Sequence, residues 1–473
     1  MQAVPVHTHY VAGHWQRPNE TATIVVRNPT TEAVVGEVSL ATAEQVAAAC
    51  QAAATALPEW SAISASARAG WLRAIAEALA ARREQIAHAI TCEVGMPLKM
   101  ARRLQAGLPV ETFRATADAI ESLDWETKVG HSTVRRVPTG VVGAITPWNM
   151  PLHQIAAKVA PAIGTGCTVV LKPSELTPSV ATLLGEVLDE VELPPGVCNI
   201  VHGTGPEAGA ALVRDPRVRF VSFTGSTEAG RDVASAAAVR LKRVALELGG
   251  KSAAVVLDDA NLASAVRTTL GAGLLNSGQM CNAISRLIVP RERLEETLEL
   301  AASELERFTM GDPFDDATRL GPVISAEQRD RVRRTIDRAV ERGARHFTTT
   351  QPLPETGHFV APTLLAPSDP DDSVAQEEIF GPVICVLSAD DDEHAVDLAN
   401  GTRYGLAASV WSADPQRAER VAESLVAGQV EINGARFNPH APFGGFRDSG
   451  YGRELGAYGV DEFLELKATQ HPD

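Results

Sequence analysis

The chain predicts an α/β fold in two lobes, and three observations carry that prediction. From about residue 140, short β-rich runs alternate with helical ones. A second alternating run begins near residue 252 and continues to about 430. The chain has 473 residues, 45% of them hydrophobic, enough for more than one packed core. Strand–helix alternation implies a parallel sheet covered on both faces. Such sheets bind ligands at the carboxyl ends of their strands.

Thr42 and Gln45 form a capping-box pattern that opens an alanine-rich helix. A longer helix follows, with Trp71, Leu72, Ile75, Leu79, Ile86 and Ile90 on one face. Val141–Ile145 reads as a strand, TPWNMP as a turn, 152–164 as a helix and Thr168–Lys172 as a strand. Thr177 and Pro178 supply an N-cap and a first-turn proline for the next helix. Val218–Phe223 reads as a strand, 228–238 as a helix and Lys242–Leu246 as a further strand.

Composition narrows the function. A formal net charge of −16 disfavours a phosphate backbone as main partner, so nucleic acid is not expected. No run of about eighteen apolar residues occurs, so no membrane span is expected. The opening MQAVPVHTHYVAGHWQRP lacks a basic patch followed by an apolar run, so no secretory leader is expected either. Six cysteines (Cys50, Cys92, Cys167, Cys198, Cys281, Cys385) show no Cys-x-x-Cys pair, and no His/Cys cluster has zinc spacing, so no metal is expected. All but Cys281 read as buried, reduced thiols of a cytoplasmic protein. Lysine is scarce beside arginine, which makes Lys158, Lys172 and Lys251 informative.

Several short segments carry chemistry. Cys281, in NSGQMCNAISR, has small polar neighbours that suit an accessible thiol better than a core one. To act as a nucleophile it needs positive charge, a helix dipole or a base nearby. Glu247 ends an apolar strand just before two glycines, which permit a tight turn and close approach of backbone to ligand. Taken alone it is equally a strand-end ion-pair carboxylate. Asn149 reads as a turn residue, or as an amide donor to a developing oxyanion. In FTGSTEAG the segment Gly225–Gly230 follows a strand and opens a helix, so its backbone donors can hold a pyrophosphate. Ser226 is the candidate hydroxyl there, with Thr224 beside it. Glu175, three residues after Lys172, can accept from both ribose hydroxyls of an adenosine while repelling a 2′-phosphate, which predicts NAD⁺ over NADP⁺. Lys172 leaves NADP⁺ open.

Seven segments, in order, make the chain similar to one family: TPWNMP (146–151), KPSE (172–175), FTGSTEAG (223–230), ELGGK (247–251), GQMC (278–281), EEIFGP (377–382) and PFGGFRDSGYGRELG (442–456). Together they resemble the NAD(P)-dependent, non-acylating aldehyde dehydrogenases over nearly the whole chain. The resemblance implies two Rossmann-like lobes, one cofactor-binding (1–121 and 139–248) and one catalytic (249–450). It also implies a small β flap for oligomerisation (122–138 and 451–473), with strands near 122–138 and Val460–Lys467, and hence a homodimer or homotetramer.

The same resemblance assigns roles. Cys281 is the nucleophile, Glu247 activates the water that hydrolyses a thioester, and the Asn149 amide with the Cys281 N–H holds the oxyanion. Lys158 matches a lysine near the active site, though alone it reads as a helix-surface charge. The cofactor set is Ile145, Thr146, Trp148, Lys172, Ser174, Glu175, Gly205, Gly225, Ser226, Gly230, Leu248, Glu378 and Phe380, with Trp148 open to a core role. The aldehyde tunnel is lined by Met150, His153, Gln154, Ala157, Met280, Asn282, Phe437 and Phe443. Ala157 stands where a bulky aromatic is frequent, which widens the pocket. The absence of arginine there weighs against a dicarboxylic semialdehyde. With polar character from His153, Asn282, Asn438 and His440, the expected substrate is a medium-sized aliphatic or aromatic aldehyde. Three rivals stand beside this reading: a catalytically inactive relative serving a binding role, a CoA-acylating dehydrogenase, and an acyl-phosphate reductase. Glu247 weighs against the second, and the lack of basic residues near Cys281 beyond Arg286 against the third.

Overall fold

The computed structural model describes residues 5–16 and 23–472. Part of the opening stretch weighed above as a leader, residues 1–4 and 17–18, lies outside the described residues, as do residues 19–22 and Asp473.

Two sheets form the body of the molecule. The first has eight strands, and its parallel centre runs Arg243–Glu247, Val218–Thr224, Val141–Ile145, Thr168–Lys172 and Cys198–Ile200. Tyr10–Val11 adds antiparallel to Cys198–Ile200 and carries the edge strand His14–Trp15, and Gly450–Tyr451 closes the other edge antiparallel to Arg243–Glu247. The last motif of the chain thus returns to the first sheet. The second sheet has seven strands, parallel except for the edge strand Arg345–Thr348; Ser252–Val256, Ile284–Pro290 and Ala407–Trp411 are central. The predicted α/β class and its two lobes hold.

Local signals set most element ends. Gln45 N–H donates to Thr42 Oγ1 (3.3 Å) and Thr42 N–H to Gln45 Oε1 (3.0 Å), so the capping box opens the helix Ala43–Ala62 as predicted. Pro151 opens the helix Pro151–Thr165, and Gly166 ends it at φ 93°, a left-handed geometry that favours glycine. Ser226 Oγ accepts from Ala229 N–H at 3.2 Å and starts the helix Thr227–Ala238.

Several expectations need correction. The long amphipathic helix is two helices, Ala65–Ala81 and Arg83–Val94, broken at Arg82, although Leu72, Ile75, Leu79, Ile86 and Ile90 still share one core. Thr177 does not cap its helix. That helix begins at Ser179, whose N–H and hydroxyl donate to Glu93 at 3.2 and 2.6 Å, so a carboxylate from elsewhere does the capping. The strand predicted from Lys242 starts at Arg243, because the Lys242 backbone N–H donates to Ala237 O at 3.2 Å, closing the preceding helix. Cys92 is half-buried, while Cys50, Cys167, Cys198 and Cys385 are buried as predicted.

A separate three-stranded sheet pairs Glu126–Val129 with Ser132–Pro138, and the latter with Leu464–Gln470. Its C-terminal strand starts later than expected: Val460 lies in the helix Gly456–Asp461 and is buried against the first-lobe core. At the other end, residue 122 closes the helix Leu108–Ser122. Val129 and Leu466 stand exposed on this sheet at 61% and 71%. Among the described residues no helix is long and apolar enough to cross a membrane.

Candidate active site

Cys281 follows a tight turn at Leu275–Gly278, in which Asn276 (φ 52°) and Ser277 (φ 56°) are left-handed without being glycine. Such residues carry strain that the surroundings must hold. Here the Ser277 hydroxyl donates to Gly321 O (2.7 Å), Asn276 Nδ2 to Asn149 O (3.1 Å) and Gln279 Nε2 to Asn276 O (3.0 Å). Ile324 N–H donates to Gln279 Oε1 at 2.9 Å. At Gly278 a Cβ would run into the Gly381 carbonyl, so the turn has room only for glycine.

The loop leaves Cys281 half-buried on a cleft of about 370 Å³ shared with Asn149, Gly225, Ser226, Glu247, Glu378 and Phe380. Gly225 and Ser226 belong to the helix-opening turn. The predicted nucleophile, base, oxyanion donor and phosphate turn therefore meet in one place. Asn149 is buried and donates one Nδ2–H to Gln279 O (2.9 Å), which leaves its second N–H available. Gln105 Nε2 braces the Asn149 carbonyl at 3.0 Å.

Glu247 ends its strand 3% exposed, with neither carboxylate oxygen bonded. Burial, then the nearby Glu454 carboxylate, hold its pKa well above the ordinary range against the pull of Lys158 and Arg453. The Cys281 thiol is likewise pushed up by burial and by the Glu247 and Glu378 carboxylates. The charges acting most strongly on the sulfur are thus acidic.

Lys158 is not a surface charge. It is fully buried and ion-paired with Glu454, from the last motif. Sequence reasoning missed Glu454; its only signal was its place in RELG.

On the nucleotide side, a second hollow of about 910 Å³ flanks the same turn, lined by Ile145, Gly205, Phe223, Val233 and neighbours. Ile145 and Gly205 line this hollow with Val213, Val233 and Ala236, while Gly225 and Ser226 line the cleft of Cys281. A Cβ on Gly225 would lie 2.5 Å from the Phe223 ring, and one on Gly230 2.5 Å from Leu248, so both glycines are needed for close packing. Lys172 Nζ pairs with Glu175 at 3.0 Å. Ser174 Oγ accepts from Leu176 N–H (3.2 Å) and Thr146 N–H donates to Lys172 O (3.1 Å), which binds these two strand ends together. Glu378 accepts from Gly250 N–H at 3.2 Å, and burial raises its pKa to about 7. Trp148 lines the cleft edge-on to Phe380, with ring centroids 5.5 Å apart.

The predicted tunnel residues divide. Ala157 and Phe443 pack with Leu406 and Leu455, and Cys281 and Phe437 lie against them. The Phe437 and Phe443 rings meet edge to face at 6.3 Å. Gln154 turns to the cleft and accepts from the Thr224 hydroxyl at 3.2 Å. Met280 and Asn282 flank Cys281 half-buried, but Met150 is in the first-lobe core and Met280 packs against that core. His153 is buried, and burial lowers its pKa to about 4.

Known proteins are similar to this chain in sequence and fold. The aldehyde dehydrogenase family matches residues 15–469. The chain is 45% identical over 464 residues to 3-succinoylsemialdehyde-pyridine dehydrogenase of a Pseudomonas species, covering 97% of each. It is 40% identical over 462 residues to a putative aldehyde dehydrogenase of Staphylococcus haemolyticus, again covering 97% of each. Among solved structures, a cysteine-to-alanine mutant of aldehyde dehydrogenase C from Pseudomonas syringae, complexed with NAD⁺ and octanal, superposes with a TM-score of 0.96 at 43% identity, over 98% of this chain and 96% of that one. Betaine aldehyde dehydrogenase of Staphylococcus aureus, in complex with NAD⁺, does so with a TM-score of 0.94 at 34% identity, over 98% and 94%.

Proposed function

The chain belongs to the aldehyde dehydrogenase family, and from that premise we propose that it oxidises an aldehyde to its carboxylic acid, with Cys281 as nucleophile and NAD⁺ as hydride acceptor. One observation carries the reading: Cys281 and Glu247 open onto the same cleft as the Gly225–Ser226 turn.

The residues fit the dinucleotide. Closely packed glycines, the N-terminal turn of the helix Thr227–Ala238 with its Ser226 cap, and the Lys172–Glu175 pair suit a pyrophosphate and an adenosine ribose. Ile145, Gly205, Gly225, Ser226, Gly230 and Leu248 would hold its adenosine half. Thr146, Trp148, Glu378 and Phe380 would hold its nicotinamide half. Glu175 supports NAD⁺ over NADP⁺.

The Cys281 sulfur, its proton passed to a base, bonds to the aldehyde carbon, and the Asn149 amide with the Cys281 N–H takes the resulting oxyanion. The chemistry that NAD⁺ supplies when bound is acceptance of the hydride leaving that carbon, and Cys281 is left as a thioester. Glu247, ionised, takes a proton from water as the water attacks the thioester; the acid leaves and the thiol is restored. Lys158 and Glu454 set the charge that Glu247 feels. The carboxylate at 247 supports hydrolysis over transfer to CoA.

Ala157, Phe437 and Phe443 around the sulfur support a medium-sized neutral aldehyde with an aliphatic or aromatic body. Such a body suits the 45% identical relative, whose name carries a pyridine ring, and the octanal bound by the Pseudomonas syringae enzyme. The exposed edge Leu464–Gln470 supports assembly as a homodimer or homotetramer. Unpaired thiols support a reducing, cytoplasmic setting.

The test is an NAD⁺-linked screen over chemically varied aldehydes, with and without CoA. NADH and free acid are expected without CoA. An absolute need for CoA, or no NADH with any aldehyde, overturns the proposal.

A further inference from the structure

The helix Pro151–Thr165 carries a polar group, on the face of the residue packed near the reacting sulfur, that the chemistry above does not use. His153 stands four residues before Ala157, and side chains four apart share a helix face. Ala157 belongs to the apolar cluster that Cys281 and Phe437 lie against. His153 is 9% exposed; its Nδ1 is sealed with no partner, while Nε2 is left open. A neutral imidazole has one N–H and one bare nitrogen. Among buried groups an orphaned N–H is rarer than an under-satisfied acceptor, so the bare nitrogen belongs at Nδ1 and the N–H at Nε2. The ring keeps this neutral form down to about pH 4, because burial and then Lys158 oppose its protonation.

We propose that His153 Nε2–H donates to an acceptor atom on the tail of the bound aldehyde. The enzyme then selects neutral aldehydes that carry a ketone, ring nitrogen or ether oxygen some bonds beyond the reacting carbon. This rests on the reading of Cys281 as nucleophile and narrows its substrate class. Four residues of helix rise about 6 Å, which places the acceptor several bonds from the aldehyde carbon. The two cations that act on Glu247 are committed within the chain. Lys158 is paired with Glu454, and Arg453 donates to the carbonyls of Gly445 and Gly452.

The experiment compares kcat/KM for octanal with that for octanals bearing one ketone at C3, C4, C5 or C6, in the wild type, His153→Leu and His153→Gln. In the wild type at least one keto analogue should exceed octanal roughly five- to tenfold, the size of one hydrogen bond. His153→Leu should bring that ratio to about one, whatever it does to octanal itself. His153→Gln keeps a donor and should restore part of the ratio. The wild-type ratio should also stay constant between about pH 6 and pH 9, since the ring is neutral throughout. A flat wild-type profile, or a preference that survives His153→Leu, overturns the proposal, and the wild-type profile decides should the variants not fold. Absence of NADH from every aldehyde, octanal included, instead overturns the reading of Cys281.

Discussion

The two halves of the cleft are finished to different degrees. On the nucleotide side most of the polar groups named above are paired within the chain, Ser226 with Ala229 N–H, Lys172 with Glu175 and Glu378 with Gly250 N–H, the Thr146 hydroxyl being the exception. On the thiol side they are bare: both Glu247 oxygens and His153 Nδ1 are buried without partners, and two non-glycine residues before Cys281 are left-handed. An unpaired buried group costs about 1–3 kcal/mol, so the thiol side is held together by the rest of the fold. Binding surfaces can be complete before the ligand arrives. A site that moves protons must keep its acids and bases uncommitted.

That contrast predicts graded losses. The largest is at the sulfur: Cys281→Ala should remove NADH formation altogether, in single-turnover and steady-state assays alike. Glu247→Gln comes next. Turnover should fall by about 10²–10⁴-fold, while part of one rapid NADH burst per site remains; full steady-state rate in this variant would take Glu247 out of the scheme. The wild type adds a pH signature. Burial and Glu454 keep the Glu247 proton on above the ordinary carboxylate range, and the residue works only after losing it. Turnover should therefore climb as pH rises above that range, and Glu247→Gln should lose the climb.

Asn149→Ala should cost on the order of 10²–10³-fold in kcat, as for one oxyanion donor. A smaller loss would mean that its bond to Gln279 O is its main duty. The nucleotide side should yield least. Glu175→Ala should shift the ratio of kcat/KM for NAD⁺ to that for NADP⁺ by about tenfold toward NADP⁺, the worth of hydrogen bonds to a charged group. An unchanged ratio would place the preference elsewhere.

Legibility follows the range of the interactions. The Thr42–Gln45 box involves neighbours within three residues, so its pattern could be read directly; the Pro151 start and the Ser226 cap are as local, but in the sequence Pro151 reads as part of a turn and Ser226 as a ligand hydroxyl. Thr177 misled because its helix is capped by Glu93, from another helix. Lys158 read locally as a surface charge because nothing near it in the chain announces Glu454, whose segment reaches it only after Gly450–Tyr451 rejoins the first sheet. Val460 read as strand because its helix is short and its burial comes from packing on the first lobe.

By itself the sequence determined the α/β class and the two lobes, and it singled out a thiol, a carboxylate and a glycine turn as site candidates, since each rests on a short run of residues with its own backbone demands. Only the tertiary structure decided that Lys158 is spent on Glu454, that the Cys281 sulfur faces carboxylates, and that His153 keeps one nitrogen open. Charge state and hydrogen-bond supply depend on what lies within a few ångströms, and those neighbours come from segments hundreds of residues apart.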